Sequence, residues 1–450
     1  MWLGIDDTDS PAGGCTTFTL LSVLEAAQAA GFDPIGDPRL VRLDPNVPMK
    51  TRGNAALAAR FGRGRGRRRR IGSTPTGPIW SFPRGDPLPA TDRERLVDVA
   101  WTTVLRTARV GDPGTDPVLV AMPRRPAGSL YREAVSRLVD TVPVVREVER
   151  LGGTIRHTGP LGGAVGAAAA LAWPGRRATW ELIAYRRPSA WGRPRRVSAR
   201  AVRSAERRFP ELFACFDPDT RRLLVAPHTP CPILFGLRAT RPGRLPKIAA
   251  RVGSEPVDRW VVFRTNQGTG DHLVPRAIRE LRPFDAARLR GRIDGTPIRL
   301  PGGHVRFPLR GPDGATIDCL AFEPTKTLPR IVSTLVRGDR VELWGGRGAD
   351  AAFRLEGVRL LALAPSSGPP RPPRCPGCGS RTRSLGRGRG FRCAACRRRL
   401  PLEAGLPTPR ARPPSGTHQP TLSARRHLAP VARGPAPTHL PLPRAPGRGN

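Results

Sequence analysis

The sequence predicts an α+β protein built from several domains. Two stretches that mix helical and strand patterns come first and extend to about residue 280. A stretch of short strands follows between residues 283 and 366, and a cysteine-rich module begins near residue 370. A chain of 450 residues is long enough for about three domains with hydrophobic cores, which agrees with this division.

The first predicted domain covers residues 1–174. Its short apolar start, residues 2–5, predicts a buried first strand. Further strands are predicted at 40–43, 55–61, 118–122 and 142–148, and helices at 18–30, 91–110, 128–140 and 161–173. The run GRGRGRRRR, residues 62–70, has too many like charges to pack. It is predicted to be a solvated loop, either a disordered insertion or a segment that follows a phosphate backbone.

The second predicted domain covers residues 175–280. Its strand patterns lie at 179–185, 222–226, 233–237 and 260–265, and its helical patterns lie at 198–208 and 245–252. The resulting order, β-α-β-β-α-β, is typical of a ferredoxin-like unit.

Residues 283–366 are predicted to form an OB-fold barrel that binds nucleic acid. Strand patterns lie at 289–293, 304–309, 316–322, 340–344 and 353–362, with a helix at 330–336. Three strands, a helix and two strands match a five-stranded barrel that is widely used on oligonucleotides. Phe307, Phe322 and Trp344 are candidates to stack on bases, although barrel aromatics more often pack in the core.

Two CxxC pairs predict a zinc ribbon over residues 370–400. Their spacing brings four thiolates around Zn²⁺, a metal that so small a module needs in order to fold. Four cysteine ligands leave no open position for catalysis. The predicted ligands are Cys375, Cys378, Cys393 and Cys396, and the arginines between them predict a finger that grips nucleic acid: Arg381, Arg383, Arg387, Arg389 and Arg392. Residues 401–450, rich in Pro and Arg with few aromatics, are predicted to be a disordered tail.

The net charge of +40 indicates a polyanionic partner, and nucleic acid is the default. Lys occurs only three times, and a GC-rich genome explains that preference for Arg, but it does not explain the shortage of acids. No apolar run is long enough to span a membrane, and the N-terminus lacks the features of a signal peptide. Paired CxxC motifs suit a reducing compartment. We therefore predict a cytoplasmic protein that binds no membrane, and nothing indicates an obligate protein partner.

The segment GIDDTDSPAGGCTT, residues 4–17, gives the strongest indication of chemistry. Asp6, Asp7 and Asp9 repel one another unless a cation lies among them, and hard oxygen ligands suit Mg²⁺. Strand alternation predicts Asp7 and Asp9 on one face and Asp6 on the other. Thr16 and Thr17 precede a predicted helix, whose N-terminus favours phosphate. Phosphoryl transfer is predicted; the alternative is an acidic turn with a capping Thr.

The loop KTRGN, residues 50–54, suits phosphate contact. Lys50 offers a point charge, Arg52 a planar fork, and Asn54 an amide. A lysine is notable in a chain that uses Arg almost everywhere.

The segment FRTNQGT, residues 263–269, ends a predicted strand and is predicted to bind RNA or to orient a substrate. The candidate residues are Arg264, Thr265, Asn266 and Gln267. A hydrogen-bonded turn is an equally good interpretation of the same residues.

These motifs, in this order, resemble the archaeal tRNA(Ile) 2-agmatinylcytidine synthetase (TiaS) family. The matching stretches span residues 1 to about 400 and are GIDDTDS…CTT, KTRGN, ELIAYR, PHTPCPILFGLR, FRTNQGT, GGHV, AFEPTK and CPGC…CAAC. The resemblance implies a kinase-like α/β catalytic domain, a ferredoxin-like domain, an OB fold and a zinc ribbon. One departure is GPLGG at residues 159–163, where the family has GNGRG, so the family's Asn and Arg are missing here.

The resemblance implies an ATP-dependent ligase that attaches agmatine to carbon 2 of the wobble cytidine of isoleucine tRNA. The product, agmatidine, makes the anticodon read AUA. ATP would phosphorylate the carbonyl oxygen, and the agmatine amine would then displace phosphate. The family further implies these roles: Mg²⁺ on Asp6, Asp7 and Asp9; ATP phosphates on Lys50, Arg52 and Asn54; autophosphorylation on Thr16, or alternatively Thr17; and tRNA on the barrel and ribbon.

Two other functions are compatible with the sequence: a non-catalytic RNA- or DNA-binding protein, and a kinase that acts on another RNA. The acid cluster with Lys50 favours an enzyme, because a pure polyanion binder would not concentrate acids there. The residues that bind agmatine stay open, with Glu181, Glu323 and Asp271 as candidate counter-ions. The oligomeric state and the tRNA pose are also open.

Overall fold

The computed structural model describes residues 1–50, 53–365, 370–386, 388–406 and 416–430. The first region contains, in chain order, β1 (Trp2–Asp6), α1 (Thr16–Ala29), β2 (Asp33–Pro34), β3 (Arg39–Arg42), β4 (Ala55–Arg65), β5 (Arg69–Thr74), β6 (Gly77–Ser81), β7 (Arg84–Asp86), α2 (Ala90–Thr107), β8 (Val118–Met122), α3 (Gly128–Ala134), α4 (Thr141–Arg150), β9 (Thr154–His157) and α5 (Gly162–Ala172). The second contains β10 (Thr179–Arg186), α6 (Ala199–Arg208), β11 (Phe216–Asp217), β12 (Arg222–Leu223), β13 (Ile233–Ala239), α7 (Leu245–Ala249) and β14 (Val257–Thr265).

Both regions contribute to one sheet, called here the N-terminal sheet. In the described part of the chain it has twelve strands, with the main order β13-β10-β14-β3-β4-β1-β8-β9. The regions meet where β14 pairs in parallel with β3. Strands β1 and β3 both run antiparallel to β4, so β1, β3 and β14 end at the same edge. The segments that follow these three strands, including KTRGN and FRTNQGT, are therefore brought together.

The two faces of the N-terminal sheet are covered by different helices. Leu3 and Ile5 of β1 pack with α1 and α2 in one core, while Ala56 and Ala58 of β4 pack with α3, α4 and α5 in the other. Alternation of side chains along a strand explains this division. On the α5 side, a Cβ at Gly4 would lie 2.5 Å from a backbone oxygen of α5, so glycine permits the close approach of helix and sheet. Among the described helices, none combines the length and apolar character that a membrane span requires.

The predicted strand at 142–148 is wrong, because these residues form α4. Asp140 caps this helix by accepting a hydrogen bond from the Val142 backbone N–H at 3.1 Å. Val144 and Val148 are buried one turn apart, which is the period of an amphipathic helix. The run of valines favours a strand locally, but tertiary packing of one helical face overrides that propensity. Another predicted helix, 128–140, ends early, at Ala134.

The arginine run 62–70 is not a solvated loop. It forms the end of β4 and the start of β5, joined by a tight turn. Along this run β4 pairs with β7 and β5 pairs with β6. Three of its arginines form ion pairs: Arg63–Asp92 (2.6 Å), Arg65–Asp86 (2.5 Å) and Arg69–Asp37. Gly64 permits the packing, because a Cβ there would lie 2.4 Å from the ring of Phe82. The interspersed glycines and distant acids make a strand possible where like charges alone would prevent one.

In the second region, three of the four predicted strands enter the sheet as β10, β13 and β14. The predicted strand 222–226 is reduced to β12, which pairs with β11 in a separate two-stranded ribbon. Helices α6 and α7 pack on the face of this part of the sheet that carries Leu182 and Leu234.

A five-stranded barrel follows, as the sequence predicts. The elements are β15 (Val274–Pro275), β16 (Ala286–Ile293), β17 (Ile298–Arg299), β18 (Val305–Arg310), β19 (Thr316–Ala321), α8 (Thr327–Val332), β20 (Arg340–Arg347) and β21 (Phe353–Ala362). The five long strands close through the order β16-β20-β21-β19-β18, with β18 returning to β16. Phe307 and Trp344 are buried, as expected for barrel aromatics, whereas Phe322 is partly exposed beside His304.

The C-terminal part contains a three-stranded sheet and an ordered return segment. Strands β22 (Thr382–Ser384), β23 (Phe391–Cys393) and β24 (Arg399–Leu400) form the sheet. The prediction of a disordered tail is wrong for residues 416–430, because β25 (Thr417–His418) pairs with β21 of the barrel and Leu428 is buried. Residues 407–415 and 431–450 of the predicted tail lie outside the described residues.

Candidate active site

Four aspartates meet at the edge of the N-terminal sheet where β1 ends. Asp6 is the last residue of β1, and Asp7 and Asp9 follow it. Strand β8 runs antiparallel to β1, with Val118 opposite Asp6. Because Asp116 lies just before β8, the pairing brings it beside the end of β1. Antiparallel pairing thus adds a fourth carboxylate that is far away in sequence.

The glycine-rich start of α5 makes room for three of these carboxylates. A Cβ added at Gly166 would lie 1.7 Å from Asp6 Oδ2, and one at Gly163 would lie 2.7 Å from Asp7 Oδ2. A Cβ at Gly159 would lie 2.2 Å from Asp116 Oδ1. Side chains larger than glycine would displace the acids, so Gly159, Gly163 and Gly166 leave the space that the carboxylates occupy.

The pKa values of Asp6 and Asp7 are raised because these carboxyl groups are removed from water and face one another. Burial raises the pKa of Asp6 well above its usual range, with Asp7 as a further cause. Burial raises the pKa of Asp7 to about 6, helped by the charges of Asp116 and Asp9. The neighbouring charges that raise these two pKa values belong to other aspartates. The cluster therefore has an excess of negative charge that a cation would neutralise.

The cluster fits Mg²⁺ in combination with a substrate, and does not form a closed cage by itself. In the described part of the chain, only the four ribbon cysteines bring three or more metal-binding side chains within 4.8 Å of one another. Mg²⁺ is usually held by one or two carboxylates, and waters and substrate phosphates complete its octahedron. Carboxylates that raise one another's pKa at the end of β1 match that donor set.

The expectation that Asp7 and Asp9 share one face, opposite Asp6, is wrong. Strand β1 ends at Asp6, and Asp7 has a positive φ of 54°, so the alternation stops there. Asp6 and Asp7 both lie against α5 as a result. Asp9 is oriented toward α1 instead.

Asp9 binds the first turn of α1. Its Oδ1 accepts hydrogen bonds from the Thr16 backbone N–H at 2.7 Å and from Thr16 Oγ1 at 3.1 Å. A carboxylate is favoured there by the partial positive charge of the helix N-terminus. Thr17 Oγ1 lies 3.0 Å from Cys15 Sγ. The helix start is therefore capped by Asp9, and the hydroxyl of Thr16 already points its proton at a carboxylate.

A cleft of about 600 Å³ opens beside Asp9 and α1. Segments from both regions line it, including the chain after β1, the end of β3 and parts of β10 and β13. The lining includes residues from several of the predicted motifs and from β10 and β13: Asp9, Thr16, Thr17, Lys50, Asn54, Glu181 and Arg238.

The KTRGN loop forms the rim of this cleft. Lys50 is exposed, and its Nζ donates a hydrogen bond to the Pro45 carbonyl. The Asn54 side chain donates to the Asp44 carbonyl at 3.0 Å, which ties the two ends of the loop together. Arg52 lies outside the described residues.

A charge network closes the floor of the cleft. Glu181 of β10 is buried and lies between two arginines, 4.0 Å from Arg42 Nη2 and 3.5 Å from Arg238 Nε. With its side-chain amide assigned to suit its neighbours, Gln267 donates to Glu181 at 3.1 Å and accepts from Arg238 Nε at 2.5 Å. Two guanidinium groups thus share one carboxylate, which leaves the floor positively charged.

The FRTNQGT segment is bonded within the protein. The amide of Asn266 is fully buried; it accepts from the Arg42 backbone N–H at 2.8 Å and donates to the Tyr131 hydroxyl at 2.8 Å. Arg264 donates to the Gly175 carbonyl at 2.6 Å, and Thr265 is buried. These contacts favour the hydrogen-bonded turn over direct RNA contact for Arg264, Thr265 and Asn266, while Gln267 reaches the floor of the cleft.

The four predicted zinc ligands converge. Sγ–Sγ distances are 3.6 Å for Cys375–Cys396 and 3.5 Å for both Cys378–Cys393 and Cys378–Cys396. Zn–S bonds of about 2.3 Å in a tetrahedron give sulfur separations of about 3.8 Å, so the arrangement fits Zn²⁺. Backbone N–H groups of Gly377 and Cys378 lower the pKa of Cys375, which favours the thiolate that binds the metal.

Models of protein families identify the family to which this chain belongs. The TiaS TCKD domain matches residues 2–158, the TiaS FLD domain matches residues 162–272, and the TiaS C-terminal zinc ribbon domain matches residues 372–410. The chain belongs to the TiaS family. The predicted membership and the predicted zinc ribbon are both confirmed.

Relatives cover nearly the whole chain. The isoleucine-tRNA 2-agmatinylcytidine synthetase TiaS of Methanosarcina mazei is 34% identical, over 95% of this chain and 96% of its own length. That of Methanopyrus kandleri is 34% identical, over 95% of each chain. Solved structures are also similar. The complex of TiaS with its isoleucine tRNA and ATP has a TM-score of 0.77 at 30% identity, and covers 95% of both chains. The complex of TiaS with the same tRNA, AMPCPP and agmatine has a TM-score of 0.76 at 28% identity, and covers 95% of this chain and 96% of its own.

Sequence reasoning missed three parts of this TiaS site. Asp116 precedes a buried strand, and an acidic residue in that position could have indicated a site residue at the end of the sheet. Arg42 and Arg238 lie in strands with mostly apolar neighbours, where a lone charge indicates a buried ion pair. The segment 425–428, which lines the cleft, gave no signal at all, because its composition matches the rest of the tail.

Proposed function

We propose that this chain is an ATP-dependent ligase that attaches agmatine to carbon 2 of the wobble cytidine of an isoleucine tRNA. The observation that carries this function is the similarity, over nearly the full length of both chains, to relatives named as that synthetase. A similar structure is described with the isoleucine tRNA, an ATP analogue and agmatine. The cleft of this chain and its surroundings supply the matching chemistry: a cluster of aspartates, a hydroxyl at a helix N-terminus, and a cationic floor.

The reaction needs two steps because an amide-like oxygen is a poor leaving group. A phosphoryl group of ATP is first transferred to the oxygen on carbon 2 of the cytidine. The primary amine of agmatine then attacks carbon 2; a C–N bond forms, the C–O bond breaks, and phosphate leaves with the oxygen. The amine loses a proton to solvent or to a carboxylate in the process.

Asp6 and Asp7 are proposed to hold Mg²⁺ together with Asp116, which replaces Asp9 of the set expected from the sequence because Asp9 bonds to Thr16. The cation would neutralise charge that develops on the phosphates. The raised pKa values of Asp6 and Asp7 support this role, because a cation would allow both carboxylates to ionise. Lys50 at the rim, with Arg52 and Asn54 in the same loop, is proposed to contact the phosphates of ATP. Gln267 is proposed to contact the substrate at the floor of the cleft.

Thr16 is proposed as the autophosphorylated residue, with Asp9 as the group that accepts its proton. The 3.1 Å hydrogen bond from Thr16 Oγ1 to Asp9 supports this choice over Thr17. Incubation with ATP followed by peptide mass spectrometry tests it. We expect Thr16→Val to abolish the phosphopeptide and Thr17→Val to retain it; the reverse result would assign the modification to Thr17.

The domain roles extend this proposal. Residues 1–174 would form the kinase-like catalytic domain and residues 175–280 the ferredoxin-like domain, although the two share one sheet. The barrel and the zinc ribbon would hold the tRNA. A cavity of about 880 Å³ between the N-terminal sheet and the barrel supports RNA contact nearby, because arginines dominate its charged lining: Arg125, Arg132, Arg137, Arg177, Arg276 and Arg288.

A cytoplasmic location is part of the proposal. None of the eight cysteines, all of which lie in described residues, forms a disulfide. Free thiols and a thiolate zinc site both suit a reducing compartment.

Incorporation of labelled agmatine into a transcript of the isoleucine tRNA tests the function. The purified protein is incubated with ATP, Mg²⁺ and the transcript, and the wobble nucleoside is identified by mass spectrometry. We expect cytidine to be converted to agmatidine only when ATP is present. A protein that bound the transcript but left the cytidine unchanged would be an RNA-binding protein, and phosphate on another RNA would indicate a different kinase.

A further inference from the structure

The C-terminal segment 416–430 returns to the candidate active site after the zinc ribbon. It first adds a short strand to the barrel, where Thr417 pairs with Arg359 and His418 pairs with Val358. It then reaches the β11–β12 ribbon, where the Ser423 backbone N–H donates to Asp217 Oδ2 at 2.8 Å. The segment is therefore attached to the barrel and to the second region before it arrives at the cleft.

The end of this segment is fixed on the FRTNQGT loop. The backbone N–H groups of Gly268 and Gly270 donate to the carbonyls of His427 and Leu428 at 2.9 and 2.8 Å. The Leu428 side chain is 1% exposed and packs in the core that contains α5. Two backbone hydrogen bonds and a buried anchor determine the position of residues 425–428, which form one wall of the 600 Å³ cleft.

The anchored wall presents a cation and an imidazole to the cleft. The Arg426 side chain is 49% exposed, and its Nε lies 3.8 Å from Glu356, so this charge is only partly compensated. Arg426 lies close enough to Lys50 that, after desolvation, its charge is the main cause of a lowered pKa of Lys50. His427 is exposed, and the charge of Arg42, helped by that of Arg238, holds its pKa below the usual range.

The charges around the cleft do not balance. In the described part of the chain the cations on the lining are Arg42, Lys50, Arg238, Arg425 and Arg426. The carboxylates on the lining are Glu181, which Arg42 and Arg238 share, and Asp9, which accepts from Thr16. Cations that lower one another's pKa across an open cleft mark a place for a bound anion.

We propose that Arg426 and His427 are substrate-binding residues that contact a phosphate group of a substrate in the cleft. This proposal rests on the proposed function, under which the phosphate group belongs either to the triphosphate of ATP or to the backbone of the tRNA. Arg426 would supply a charged fork to the phosphate. His427, kept neutral by its cationic neighbours, would donate one hydrogen bond from its protonated ring nitrogen.

The test compares full-length variants Arg426→Ala, Arg426→Lys and His427→Ala with Arg150→Ala. Arg150 is a matched control, because it is an exposed arginine at the end of α4 that is absent from the lining of the cleft. Three quantities are measured: the KM for ATP, the affinity for the isoleucine tRNA at several salt concentrations, and the rate of agmatine incorporation. The thermal unfolding midpoint of each variant checks that the segment remains in place.

We expect Arg426→Ala to weaken phosphate binding at least fivefold, His427→Ala to weaken it less, and Arg426→Lys to restore most of the loss. A higher KM for ATP would assign the phosphate to the nucleotide. Weaker tRNA binding, with a salt slope reduced by about one, would assign it to the RNA backbone. If Arg426→Ala changes neither KM nor tRNA affinity beyond Arg150→Ala, the proposal is overturned. In a protein that incorporates no agmatine, the Kd for ATP from direct binding replaces the KM, and the tRNA affinity is measured as before, so failure of the proposed function is seen separately.

Discussion

The chain contains two groups of potential metal ligands that differ in how far the protein assembles them. The four cysteines of the ribbon bring their sulfur atoms within 4.8 Å of one another. The aspartates at the end of β1 do not form such a group, although they are close enough to raise one another's pKa. The first site has its complete ligand set; the second provides part of one.

This difference matches two uses of a metal. Four thiolates fill the coordination of Zn²⁺, so the ion holds the module together and cannot take part in chemistry. Two or three carboxylates leave positions on Mg²⁺ that substrate phosphates fill. A structural site is therefore complete within the protein, and a catalytic site is completed by its substrates.

The largest effect is expected from Asp7→Asn. The substitution keeps the shape of the side chain and removes one negative charge from the cluster. We expect agmatine incorporation to fall about a hundredfold or more, because several kcal/mol of charge stabilisation are lost, while tRNA affinity stays nearly unchanged.

Asp98→Asn serves as the matched control for this substitution, since Asp98 is exposed on α2. Incorporation at the wild-type rate by the Asp7→Asn variant would remove the aspartates from the metal site. A loss in both variants would point to a general defect.

Substitution Cys375→Ser tests the structural site. Wild-type protein should contain about one zinc per chain, and the variant almost none, because a three-thiolate site in so small a module does not hold the metal or the fold. Metal analysis by mass spectrometry measures both. Cys319→Ser, at a cysteine buried in the barrel, is the control that should keep its zinc. Wild-type protein without zinc would refute the ribbon.

A smaller effect is expected from Gly166→Ala, compared with Gly162→Ala in the same helix. The new Cβ at Gly166 would lie 1.7 Å from Asp6 Oδ2 and must displace it, while Gly162 has open space around it. We expect the first to lower kcat roughly tenfold or more and the second to leave kcat unchanged. Equal kcat values in steady-state assays would mean that the position of Asp6 does not matter.

The smallest effect is a dependence of stability on pH and Mg²⁺. The pKa of Asp7 rises from 3.8 to about 6 in the folded protein, so without a cation the folded state prefers the protonated group. The contribution of this group to the free energy of unfolding falls by roughly 3 kcal/mol as the pH rises from 3.8 to about 6. Mg²⁺ should recover part of it above about pH 6.

Thermal unfolding measures this effect. We expect Mg²⁺ to raise the melting temperature by a few degrees at about pH 7.5, to raise it less at about pH 5, and to have little effect on Asp7→Asn. An identical gain at both pH values would show that Mg²⁺ acts elsewhere.

Local sequence patterns correctly predicted the helices and strands that bury one face in a core. The alternating strands of the barrel and the helices α1 and α2 lie close to their predicted positions. The errors occur where distant partners decide the outcome. The valines 142–148 form a helix because one face packs on the sheet. The arginine run 62–70 continues two strands because Asp37, Asp86 and Asp92 compensate part of its charge.

The sequence by itself determined the zinc ribbon, the aspartates after the first strand, and the family, because in each case spacing along the chain fixes the chemistry. Only the tertiary structure decided which residues share the site. Asp116 joins Asp6 through antiparallel pairing, Asp9 binds α1, and residues 425–428 form a wall of the cleft. The physical reason is that strand pairing and burial act between segments far apart in sequence, and spacing along the chain carries no record of them.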